Sequence, residues 1–193
     1  MVDQALSLPV AVVLVAVIIA AFTDVRSFKI YNALTLPLLV SGLVYHGMVG
    51  GSGSLLLSVL GMLFGFFIPF LLFLAGGMGG GDVKLMAGVG AWLGLPMTYY
   101  VFVGASLAAG LYALALMVAH KRVGETWVNL KILWYRVVAV GRHLGAEDTV
   151  ETEVRRDDRR QRLVPFAAMV AVGLVATLVW LLLLTPDTAV IRR

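Results

Sequence analysis

The sequence predicts an all-α integral membrane protein with six transmembrane helices, both termini outside and one large cytoplasmic loop between helices 5 and 6. Three observations carry that reading. First, 61% of the 193 residues are hydrophobic and only 13% are charged, with mean hydropathy +0.96, whereas soluble domains keep about a quarter of their residues charged. Second, the apolar residues arrive in runs near the ~20 residues that a helix needs to cross the hydrocarbon. Third, Lys and Arg are distributed on one side of those runs. This composition excludes a disordered chain, a coiled coil and a water-soluble enzyme. The lack of Cys excludes disulfides, a thiolate zinc site and a cysteine nucleophile. A net charge of +4 points to basic inner loops, not to a nucleic-acid partner.

The spans follow in order within a single polytopic domain, 1–193. The first, 5–22, has only Asp3 as a charge before it and more spans after it, so it reads as a membrane helix and not as a signal peptide. The second, 33–49, is separated from the third, 55–75, by a turn at Gly50-Gly51-Ser52-Gly53-Ser54. The long apolar stretch from Val83 to Ala119 is broken at Gly94-Leu95-Pro96, where proline removes a backbone donor. It therefore splits into 83–95 and 97–119; a single long helix, with five spans in all, is the alternative. The last span is 163–184.

With the N-terminus outside, 13 of the 15 basic residues fall on the inner side and only Arg192 and Arg193 outside, the bias expected of cytoplasmic loops. The loop 120–162 divides into two parts. In the first, Arg122, Asn129, Arg136 and His143 recur every seven residues among apolar neighbours, the pattern of an interfacial helix. The second, from Glu147 to Arg162, carries dense charge of both signs and belongs in water.

Of eleven acidic residues, only Asp24 and Asp82 adjoin apolar spans on the inner side. Asp24 closes the first helix, and Asp82 opens the fourth after Gly76-Gly77-Met78-Gly79-Gly80-Gly81. An ionisable residue at a membrane edge is a functional candidate. Plainer readings stand beside that one: Asp82 as N-cap of a helix starting at Val83, and Asp24 as a boundary charge paired with Arg26 or Lys29. The glycines favour function, because five in six residues carry an entropic cost that close backbone approach offsets. No Gly-Lys-Ser/Thr follows, so the run is not a phosphate loop. Two neighbouring aspartates share a proton: one deprotonates water while the other polarises a carbonyl. His46, His120 and His143 are scattered, with His46 at the opposite membrane face, so serine or metal hydrolysis lacks its base or ligands. Lys84 reads either as an electrostatic neighbour of the pair or as a snorkelling inner-face anchor. No metal or cofactor is expected.

The stretch Gly79-Gly80-Gly81-Asp82-Val83-Lys84-Leu85 resembles the Gly-x-Gly-Asp motif of the type IV prepilin and archaeal preflagellin peptidases. Asp24-Val25-Arg26-Ser27-Phe28-Lys29-Ile30-Tyr31-Asn32, with Thr35, is similar to their first-aspartate motif. Gly88, Gly90 and Gly94, and Leu163-Val164-Pro165-Phe166, also fit. The resemblance implies that Asp24 and Asp82 are the catalytic dyad, with Gly79, Gly80, Gly81, Lys84 and Asn32 binding substrate or shaping the loops. It implies cleavage of a short basic leader, after a small residue, from prepilin-like partners at the cytoplasmic edge of the lipid membrane. The chain departs from many bacterial members in lacking cysteines and an N-terminal cytoplasmic region, which argues against N-methyltransferase activity and resembles the minimal tight-adherence branch. It departs again at Tyr31, where the family usually has Pro. On this reading the acids between Glu147 and Asp158 either stay solvated or attract the basic leader. The reading from another class is a small proton-coupled carrier or channel component with Asp24 and Asp82 as relay groups. Carriers, however, place such groups near the midplane.

Overall fold

The computed structural model describes residues 8–27, 29–74, 78–119 and 165–184. The expected interfacial helix, the acidic stretch after it and the rest of loop 120–162 lie outside the described residues. Every regular element among those described is helical: α1 (Leu8–Ser27), α2 (Asn32–Val49), α3 (Gly51–Leu74), α4 (Gly80–Ala119) and α5 (Phe166–Leu184). The first four are long and apolar enough to cross a membrane, and α5 contains a shorter apolar helix, Phe166–Leu181. Their outer faces carry large exposed apolar groups such as Ile18, Leu36, Phe67, Leu107 and Trp180. Surfaces this apolar belong against lipid, and the chain is a multi-pass membrane protein.

The helix boundaries correct the sequence reading in three places. Helix α1 runs on to Ser27, so Asp24 lies inside its last turn instead of closing it. The glycine-serine segment after Val49 is not a five-residue turn: only Gly50 separates the helices, and α3 starts at Gly51. Helix α4 begins at Gly80, so two glycines of the run are helical and Asp82 is the third residue, not a cap preceding Val83. Glycine is a poor helix former in water, but in an apolar medium an unpaired backbone group costs more than the lost propensity.

The break in α4 falls where Gly94-Leu95-Pro96 places it. Gly94 has φ 70° and ψ 174°, outside the helical region and open to glycine without strain. Contacts with α3 reveal what the break does. Gly65 abuts Met86, Gly61 abuts Gly90, and Leu57 abuts Gly94, so the first limb of α4 runs antiparallel to α3. Phe64 then meets Tyr99 and Phe102, with ring centroids 6.1 and 6.0 Å apart. A straight continuation would carry Phe102 away from Phe64 at about 1.5 Å per residue. The chain therefore turns back at Gly94, and α4 is a helical hairpin whose second limb retraces the bundle.

This hairpin is the centre of the molecule and touches each of the other four helices. Leu85, Met86, Val89 and Trp92 from its first limb, with Val101 and Ala105 from its second, meet Val13, Val17 and Ala20 of α1, Leu38 of α2, and Phe166, Val170 and Leu174 of α5. Lipid is as apolar as these side chains, so burial alone drives little association and close packing must supply it. Gly61, Gly65 and Gly90 allow α3 and α4 to approach backbone to backbone, and Gly104 and Gly173 do the same for α4 and α5.

The hairpin leaves a carbonyl without its helical donor. Trp92 C=O would accept from residue 96, but Pro96 has no N–H. His46 fills the vacancy: its Nε2 lies 2.9 Å from Trp92 O and its Nδ1 2.7 Å from Ser54 Oγ. A carbonyl only accepts, so Nε2 carries the proton, and in the neutral ring Nδ1 accepts from the serine hydroxyl. Ser58 Oγ likewise donates to Ala91 O, and Trp92 Nε1 donates to Leu38 O at 2.8 Å. His46 thus joins α2, α3 and α4, and Trp92, ten residues beyond Asp82, lies about 15 Å from it along the helix.

Gly90→Ala places a methyl group on the Gly61 carbonyl and should destabilise the protein by about 2 kcal/mol. Gly110→Ala, whose Cβ meets nothing within 4 Å, should stay within about 1 kcal/mol of the parent; thermal unfolding in detergent compares them. His46→Ala leaves the Trp92 carbonyl without a donor and should cost about 1–3 kcal/mol in the same assay. A wild-type melting temperature for His46→Ala would show that the hairpin does not need this bond.

Candidate active site

Asp24 and Asp82 come from different helices to one cleft of about 390 Å³, whose other walls are residues 29–32 and 79–81. Each carboxylate is held by a backbone donor at the start of a helix. Asp82 Oδ2 accepts from Gly79 N at 3.2 Å, while Gly79 O accepts from the amides of Asp82 and Val83 at 3.1 and 3.4 Å. The aspartate in the third helical position thus reaches back to the N-cap amide, one half of a capping box, since Gly79 has no side chain to supply the other. Asp24 is only 8% exposed, and its Oδ2 accepts from Ala167 N, in the first turn of α5, at 3.1 Å. The positive ends of two helix dipoles therefore face the two carboxylates.

Two of the three glycines are explained by contact. A Cβ at Gly79 would lie 3.1 Å from Asp82 Oδ2, in the space the carboxylate needs to fold back on the backbone. A Cβ at Gly81 would lie 3.0 Å from Ile30 Cβ, so this glycine lets the α1–α2 connection pass across the start of α4. That crossing puts Ile30, Tyr31 and Asn32 into the cleft wall. At Gly80 the nearest atom would be Phe73 Cε2 at 3.6 Å, an ordinary contact.

Lys84 Nζ donates to Asn32 Oδ1 at 2.9 Å across the exposed rim, joining the element that follows Asp24 to the one that bears Asp82. Tyr31, in the position where proline was expected, is the N-cap of α2 with φ −79° and ψ 136°. A proline ring holds φ near −65°, so the loop adopts a shape that proline would also accept.

The sequence reading thus named residues that the fold brings to one place: Asp24, Asp82, Asn32, Gly79, Gly80 and Gly81 line the cleft, and Lys84 reaches Asn32 on its rim. His46 is at the other end of the bundle, on the α4 turn. The residue missed was Ala167, whose contribution is a backbone N–H that no side-chain pattern advertises; the only signal nearby was the Pro165-Phe166 pair. Asp24 accordingly has a backbone amide as its partner, in place of the Arg26 or Lys29 pairing considered for it.

Residues 11–114 match the model of the type IV leader peptidase family. The prepilin leader peptidase/N-methyltransferase of Aeromonas hydrophila is 38% identical over 117 residues, covering 54% of this chain and 40% of the relative. The protein of the same name from Neisseria gonorrhoeae is 35% identical over 108 residues, covering 52% and 37%. The preflagellin peptidase of Methanocaldococcus jannaschii is 33% identical over 81 residues, covering 40% and 34%. The chain thus spans well under half the length of each of these relatives. No solved structure matches it. The match extends over more than half of the chain, takes in both aspartates and the whole glycine run between them, and makes this chain a member of the type IV leader peptidase family.

Proposed function

We propose that this protein is a membrane aspartic endopeptidase that removes the short basic leader from prepilin-like or preflagellin-like precursors at the cytoplasmic edge of the membrane. The observation that carries the reading is the convergence of Asp24 and Asp82 on one cleft, each anchored by a backbone N–H. With one oxygen of each carboxylate engaged, the other is available to water or to the scissile carbonyl. Two carboxylates in one small site share a proton, so one takes a proton from water while the other, protonated, polarises the carbonyl. The pair then acts as a unit. The family relationship and the printed names of the relatives support leader cleavage as the reaction.

The same reading includes six crossings with both termini outside. The reversal at Gly94 supports two crossings by α4, and the 13 basic residues assigned to the inner side support the orientation. That orientation puts the cleft at the cytoplasmic surface, where a basic leader would lie. Lys29, Asn32 and Lys84 are then rim groups. Lys84 serves as a clamp on the loop: its ammonium is committed to Asn32 instead of lying against a carboxylate.

Asp24→Asn and Asp82→Asn should each abolish cleavage of a prepilin in membranes or detergent while the protein still inserts. The double variant should be hardly worse than either single one, since groups acting as a unit are not additive. Near-normal cleavage by either asparagine variant would remove the dyad. Glu at either position should also impair turnover, because one methylene exceeds the ~0.5 Å tolerance of a preorganised site.

Lys84→Gln should leave the pH profile of cleavage where it is and cost about 1 kcal/mol or less of stability, as expected for an exposed polar contact. A displaced profile would assign Lys84 an electrostatic role on the dyad.

A further inference from the structure

We propose that the Ala167 N–H, at the start of α5, is a working part of the catalytic site as the group that positions Asp24. The proposal rests on the peptidase reading given above and adds a third component to its dyad. Asp24 has little access to water and Ala167 has none, at 8% and 0% exposure. The donor and the acceptor of the 3.1 Å bond therefore depend on each other. The first amides of a helix have no partner within it. In α5, Pro165 O takes the amides of Ala168 and Met169, at 3.1 and 3.3 Å, and the Ala167 amide is taken by Asp24. Removing either member leaves a polar group unpaired in an apolar interior.

The bond also fixes how Asp24 can react. A backbone N–H can only donate, so the oxygen facing Ala167 must be an acceptor whichever way the dyad is protonated. The bond leaves the other oxygen without this backbone donor and sets the direction in which the carboxylate faces Asp82 and water. Asp82 is constrained in the same way by Gly79 N. The two backbone donors thereby orient each carboxylate and hold it at a set angle. The burial of Phe166 and Ala167 in the central cluster, 9% and 0% exposed, ties that angle to the packing of α5 on α1 and α4. Ala167 is a positioning residue, acting through Asp24 without touching substrate.

Proline at position 167 deletes this one donor, and the first turn of a helix tolerates proline. In the full-length detergent-solubilised protein, Ala167→Pro should lower kcat for prepilin cleavage by about a hundredfold with KM unchanged, as expected for a displaced reacting group. Ala168→Pro removes the adjacent amide from the same turn and should retain wild-type kcat. A direct readout of the contact is the Ala167 amide resonance in protein labelled with 15N-alanine. It should move in Asp24→Asn, and by less in Asp82→Asn, which leaves the acceptor of the bond in place. Wild-type kcat in folded Ala167→Pro, or an equal loss in Ala168→Pro, overturns the proposal. An Ala167 resonance indifferent to Asp24→Asn overturns it too, even where the proline variant fails to fold. A wild-type protein that cleaves no prepilin overturns the peptidase reading, and the resonance still decides the contact.

Discussion

Every backbone polar group inside the membrane must find its partner inside the protein, because the hydrocarbon around it offers none. The arrangement of the helices follows from how that demand is met at the places where helices end or break. At the turn of α4, proline withholds an amide and His46 replaces it from a neighbouring helix. At the start of α5, a buried amide is left over from the helix and Asp24 takes it. The same requirement that forces helices elsewhere therefore produces a structural lock at one end of the bundle and an anchored carboxylate at the other.

Between these ends the glycines set the distances. Gly61, Gly65 and Gly90 let α3 and α4 touch along their backbones, and that contact carries the start of α4, with Asp82, to its place beside the α1–α2 connection. Gly81 then removes the last obstacle, the methyl group that would collide with Ile30. The glycine run before Asp82 therefore does two jobs that are separate in space. Gly79, just before the helix, gives room to the carboxylate, while Gly81, already inside the helix, gives room to the crossing chain.

Much of this was legible in the residues. Long apolar runs announce membrane helices because few other structures tolerate them, and Pro96 after Gly94 announces a break because it removes a donor that nothing in the chain replaces locally. The two aspartates stood out because charge is rare beside such runs. Helix ends were less legible: Gly50 to Ser54 reads as a turn by the rules of water, yet beyond Gly51, whose φ is 68°, Ser52 to Ser54 are helical. His46 read as one of three scattered histidines because its partner, the Trp92 carbonyl, is distant in the chain and carries no side-chain signature. Ala167 was illegible for the same reason, since any residue but proline supplies the same N–H.

The bond between Asp24 and Ala167 also has an order in time. Ribosomes make α1 early and α5 late, so the Asp24 carboxylate enters the bilayer long before the amide that holds it has been synthesised. Until α5 docks, one wall of the cleft lacks its anchor, and a partly made or truncated chain has both aspartates without their final geometry. Synthesis of α5 is thereby built into the cleft as a condition of its assembly, through a single backbone proton.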